Sequence, residues 1–153
     1  VRAFLRRVGI CFIAVGGAFL LWKHKPTESD IAWQDTCRLS MLSCEGIDKP
    51  TVYEVTGLLQ LFALYGYYDN GSSEVNIASG MTKDERHIIM VHEMQHYLQD
   101  KHGRFAVQNL IYECINEYEA FEMSDKIALE LGAYHMLRLG HLGDYGCFAK
   151  DKK

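Results

Sequence analysis

The stretch TKDERHIIMVHEMQHYLQDKHG (residues 82–103) decides how the rest of the chain is read. Thr82 and Glu85 have the spacing of a capping box, in which the hydroxyl serves a backbone N–H of the first turn and the glutamate reaches back to the cap. Asp84 and Glu85 place negative charge at the end of the helix where its dipole favours it. The spacing predicts a helix over residues 82–101 that stops at Gly103, with His102 at its C-terminal end. On such a helix His92 and His96 lie one turn apart on one face, so two imidazoles can point at one ion. Glu93 falls about 100° round from His92, beside such an ion and not on it. H-E-x-x-H on a helix is the arrangement by which metalloproteases hold zinc and set a general base next to it. The plain alternative is a pair of solvated histidines on a charged helix face.

A catalytic zinc site needs a third protein ligand and an open fourth position. The absence of an H-x-x-G-x-x-H continuation after His96 argues against a three-histidine set, and the next helix then has to supply a carboxylate. Residues 105–131 read as that helix, and IYECINEYEAFEMSDKIALE offers Glu113, Glu117, Glu119 and Glu122. With Leu110, Cys114, Tyr118, Phe121 and Ala128 taken as the buried stripe, Glu117 lies about 70° from its centre, Glu113 about 110° and Glu119 about 130°. A ligand facing a partner helix belongs at the stripe's border. Glu117 is therefore the expected third ligand, with Glu119 and Glu113 behind it and a solvated charged face as the alternative.

HEMQH (92–96), followed by Asn116-Glu117 and Glu117-x-x-Ala120, resembles the gluzincin (thermolysin-like) group of zinc metallopeptidases. It looks most like the small, poorly characterised members from bacteria and phages. The resemblance covers roughly residues 52–131. It implies a minimal zincin-like α+β fold, with about three strands packed on two long helices. It implies one zinc ion on His92, His96 and Glu117, Glu93 as general base, and a peptide or protein substrate. It also implies that EVNIAS (74–79) is the sheet-edge strand that pairs with an extended peptide. Relatives often carry an aspartate shortly after the ligand glutamate. Here Phe121 follows Ala120, and the next downstream carboxylate thought able to orient His92 or His96 is Asp125, which otherwise belongs to a tertiary salt bridge. For the oxyanion of the transition state, Tyr134, His135, His141 and Tyr145 are available, and His135 is the first choice.

The remaining elements follow from local signals. SDIAWQDTCRLSMLSCEG (29–46) is expected to be a helix capped by Ser29 or Asp30 and ending at Gly46. PTVYEVT (50–56) reads as a strand. Residues 61–68 and 74–78 read as a hairpin turning at Asp69-Asn70-Gly71.

The N-terminus is different in character. Residues 1–25 hold five of the 16 Lys and Arg and no Asp or Glu, around an uncharged run from Val8 to Trp22. This reads as an N-terminal signal-anchor or short membrane span, with a cleaved signal and a buried helix as alternatives. A metallopeptidase domain is expected over 26–153, membrane-anchored and periplasmic or otherwise extracytoplasmic. That body carries 11 basic and 20 acidic residues, a net of −9, so it repels phosphate backbones and nucleic acid is excluded as a partner. Cys37, Cys44, Cys114 and Cys147 allow three pairings, of which Cys37–Cys44 with Cys114–Cys147 is the expected one and suits an oxidising compartment, with four reduced, mostly buried thiols as the alternative. Two rival readings remain: a membrane-tethered zincin-like binding or accessory protein without turnover, and a small membrane-active product in which the motif is fortuitous.

Overall fold

The computed structural model describes residues 26–56, 65–106 and 110–138. These form three helices, α1 (Glu28–Leu39), α2 (Lys83–Lys101) and α3 (Leu110–Leu131), and three strands, β1 (Thr51–Val55), β2 (Gly66–Asp69) and β3 (Glu74–Ala78). Short 3-10 turns follow α2 at Arg104–Ala106 and α3 at Tyr134–Met136. The fold is α+β, with a mixed three-stranded sheet. The expected N-terminal anchor lies outside the described residues. Among the described residues no helix is long and apolar enough to cross a membrane.

Helix α1 starts and stops differently from the expectation. Its cap is Thr27, not Ser29 or Asp30. The Thr27 hydroxyl accepts the Asp30 N–H, and the Asp30 carboxylate accepts the Thr27 N–H at 2.8 Å, a capping box whose cap lies two residues before Ser29 and three before Asp30. The helix ends at Leu39, because Ser40 turns extended (φ −66°, ψ 145°) and the Cys37–Cys44 disulfide ties the following loop back to the last turn. That disulfide is one of the two expected. Cys114 is also disulfide-bonded, and its expected partner Cys147 lies outside the described residues.

In the sheet, β1 runs parallel to β3 and β2 pairs antiparallel with β3, giving the order β1-β3-β2. The expected hairpin between β2 and β3 is present, but Asp69 belongs to β2 and not to the turn, and residues 61–64 of the expected first strand lie outside the described residues. The expected edge strand is corrected: β3 is central, and β2 is an edge. Val75, Asn76, Ile77 and Ala78 are all buried, the pattern of a strand covered on both faces and flanked on both sides. Among the described residues no strand pairs along the outer side of β2.

Helix α2 is capped by Thr82 with Glu85 in reciprocal contact and ends before Gly103, which adopts φ 75°. It is the centre of the molecule, with α1 and the sheet packed on it and α3 beside it. Every residue from Met90 to Gln99 is buried. β2 approaches this helix closely at Gly66, where a Cβ would lie 2.6 Å from Ile89 Cγ2, 3.1 Å from the Asn76 carbonyl oxygen and 3.2 Å from Glu93 Cγ. Glycine is required there to let the strand reach the helix.

Helix α3 begins at Leu110, later than residue 105, and its buried face is rotated from the expected stripe. The buried residues are Asn116, Ala120, Phe121, Met123, Ser124, Asp125, Ile127 and Ala128, whereas Tyr118 is 44% exposed. Three polar residues lie on the covered face and Ile111, Ile115, Tyr118 and Leu129 on the open one, so hydrophobicity alone misplaces the stripe.

Candidate metal centre

A helix buried on every side has to satisfy each polar side chain it carries. Between Met90 and Gln99, α2 carries five: His92, Glu93, Gln95, His96 and Gln99. Their partners define the site.

His92 and His96 project from successive turns of α2 toward Glu117 of α3. Their Nε2 atoms are 3.1 Å apart. Glu117 turns one oxygen to each imidazole, Oε1 at 3.3 Å from His96 Nε2 and Oε2 at 3.6 Å from His92 Nε2. Each of the three residues offers one donor atom within 4.8 Å of the others, a group able to hold a metal ion. Two imidazole nitrogens that face each other this closely can share only one proton between them, whereas a cation accepts both lone pairs. The rings are walled by aromatic side chains. Phe121 lies against His92 at 4.5 Å between centroids, and Phe105 stands edge-on to His96 at 6.1 Å.

Charge follows the geometry. Burial works against the ionised form of Glu117, but the two imidazoles outweigh it and hold its carboxyl well below the usual carboxylate range. Burial alone would lower the His96 imidazole; the Glu117 and Glu93 carboxylates, helped by Gln99, overcome it, and without metal the ring is pushed up to about 9. Glu93 takes the other direction. Burial pushes its carboxyl up, the two imidazoles pull it down and Glu117 pushes it up again, for a net rise. Its carboxylate accepts the backbone N–H of Tyr68 on β2, so it sits between the histidines and the edge strand.

The sequence-derived residues divide cleanly. His92, His96 and Glu117 come together, with Glu93 beside them. Glu113 is exposed. Glu119 turns away to accept from Gln99 at 3.2 Å, Gln95 at 3.5 Å and Arg104. Asp125 accepts the Arg138 backbone N–H at 2.8 Å. His135 is not gathered into the group. It is 67% exposed and its Nε2 lies 3.3 Å from Glu85 Oε1, in the first turn of α2, two turns before His92. The cause is the 3-10 turn Tyr134–Met136, which buries Met136 and leaves His135 outside. His141 and Tyr145 lie outside the described residues.

Gln99 was not singled out by the sequence. It is fully buried, and its Oε1 lies 2.9 Å from His96 Nδ1. Its position three residues after His96, on the same helical face, is the signal that points to it. Comparison of the chain with family models, curated proteins and solved structures finds no match in any of the three, so the centre is defined by its own geometry.

Proposed function

We propose that the protein is a zinc-dependent metallopeptidase of minimal zincin-like fold, with His92, His96 and Glu117 as zinc ligands and Glu93 as general base. The observation that carries this reading is the set of donor separations. Two ligands about 2.05 Å from a zinc ion at a tetrahedral angle stand about 3.3 Å apart. The His92 and His96 Nε2 atoms are 3.1 Å apart and the two Glu117 oxygens lie 3.3 Å from His96 and 3.6 Å from His92, near that value; with one oxygen taken alone, the three donor atoms lie within 4.8 Å of one another. Imidazole with carboxylate is also a donor set that suits zinc over magnesium or calcium.

Zinc supplies Lewis acidity, which acidifies water and polarises a carbonyl. The chain's own residues do the rest. Glu93 stands next to the ligands without joining them, and its upward shift brings its basicity nearer to neutral pH, where a general base works best. The Glu117 side chain is 31% exposed, so the cluster is reachable from solvent. The outer edge of β2, next to Glu93, is the place for an extended peptide to add as a further strand. Residues 1–25, by their composition, tether the domain to a membrane and keep it extracytoplasmic, where the disulfides are stable.

The test is metal analysis and peptide cleavage by the full chain beside two variants. Glu117→Ala is expected to lower zinc affinity at least about 100-fold. Glu93→Gln is expected to keep zinc and lose cleavage by about 1000-fold or more. Wild-type protein with no stoichiometric zinc defeats the reading, and zinc without cleavage that Glu93→Gln can diminish leaves a binding protein.

A further inference from the structure

We propose that Gln99 is a positioning residue that fixes His96 as the Nδ1–H tautomer and so turns the Nε2 lone pair toward the metal. The neighbours of this one buried amide fix which end is which. Gln99 Nε2 lies 3.0 Å from the Asn116 carbonyl oxygen and 3.2 Å from Glu119 Oε2. Both are acceptors only, so this end of the amide has to be the NH2 group. The other end is then the oxygen, and it faces His96 Nδ1 at 2.9 Å. An amide oxygen only accepts, so Nδ1 carries the proton. A neutral imidazole has one N–H, which leaves Nε2 bare at the point where His92 and Glu117 converge.

The orientation is secured one layer further out. Arg104 pairs with the Glu119 carboxylate, and Gln95 approaches the same oxygen, so Glu119 is held facing Gln99. Gln99 is 0% exposed, so water does not compete for either end of the amide. An amide also orients the ring without adding a charge to a site that already has Glu93 and Glu117. A carboxylate in its place would be a third negative group. The order Glu119–Gln99–His96 therefore passes the direction of a fixed charge to the metal ligand through a group that does not titrate.

The purpose of this arrangement rests on the metal reading above, but the tautomer is a property of the chain itself. The experiment uses full-length protein with 15N-labelled histidine. Ring-nitrogen NMR is recorded metal-free at about pH 10, above the value of about 9 for His96, and zinc affinity is measured by chelator competition at neutral pH. Wild type is expected to show His96 as a single Nδ1–H tautomer. Gln99→Leu is expected to give mixed tautomers and about 10- to 100-fold weaker zinc binding. Gln99→Met keeps the length of the side chain but offers no amide oxygen to Nδ1, and is expected to mix the tautomers and weaken zinc binding in the same way. A wild-type His96 protonated on Nε2 overturns the proposal, as does a Gln99→Leu protein with unchanged tautomer and affinity. If Gln99→Leu does not fold, the wild-type tautomer and Gln99→Met decide. An Nδ1–H His96 in a protein that binds no zinc supports the positioning role and defeats the metallopeptidase reading.

Discussion

Helices α2 and α3 run antiparallel, and the two ends of the pair are built from opposite materials. At one end Ile88, Met90 and Val91 of α2 share a core with Met123, Ile127 and Ala128 of α3. At the other, His92, His96 and Gln99 face Asn116, Glu117 and Glu119. Both ends are buried, but they are held by different physics. The apolar end gains by removing surface from water without direction. The polar end has already given up hydration and depends on each donor finding its acceptor. Asn116 Oδ1 and Gln95 Oε1 have no partner there among the described residues, so the polar end is incompletely satisfied as it stands. A protein keeps such an end when it does something other than hold the fold together.

The contrast can be tested directly. Ile127, 2% exposed, is expected to cost about 3 kcal/mol of stability when cut to alanine, from lost transfer energy and a cavity. Denaturant unfolding measures this, and zinc affinity of the folded protein should not move. If Ile127→Ala weakened zinc binding tenfold, the two ends would not be independent.

The polar end alone should respond to pH. Without metal, the His96 pKa is raised to about 9 by Glu117, so that pairing contributes fully below the ordinary value of 6.5 and is lost as pH rises through about 9. The depressed Glu117 contributes above its ordinary 4.5 and loses that contribution as pH falls. These two groups together favour the metal-free protein most between 4.5 and 6.5, whereas the raised Glu93 carboxyl works the other way as pH climbs above its ordinary 4.5. Metal binding displaces the His96 proton, so affinity should rise about tenfold per pH unit below about 9. Titration of zinc at several pH values checks the slope. A flat profile would mean that His96 is already neutral at physiological pH.

A smaller effect is expected outside the pair. Arg38 bridges Asp35 and Glu130 on the surface, with its side chain 49% exposed. Arg38→Ala should cost less than about 1 kcal/mol, because solvent and salt screen such pairs. A loss comparable to that of Ile127→Ala would show that burial is the wrong measure of what stabilises this fold.

Reading the site from sequence worked where the spacing is local. The capping box places the start of α2, and i, i+4 spacing puts His92 and His96 on one face. Glu117 was selected with the stripe of α3 wrongly phased. It survived because it borders the true buried face as well as the imagined one. The polar residues Asn116, Ser124 and Asp125 are buried and Tyr118 is not, so a hydrophobic template finds the wrong centre. Strand β3 failed as an edge for a related reason. Its order in the sheet depends on where β1 docks, and β1 is separated from it by a long stretch of chain. His135 failed because proximity in the tail says nothing about which end of α2 the tail meets.

By itself the sequence determined a capped helix, two histidines on one of its faces, a hairpin before it and a carboxylate at a usable phase after it. Those depend on dihedral preferences and repeats of a few residues, which act wherever the chain goes. Only the tertiary structure decided that β3 is the central strand, that β2 lies beside Glu93 with no further strand on its outer side among the described residues, that α3 turns a polar face inward, and that a buried glutamine stands behind His96. Each of these depends on groups distant in sequence meeting in space, and on the cost of leaving a polar atom removed from water without a partner.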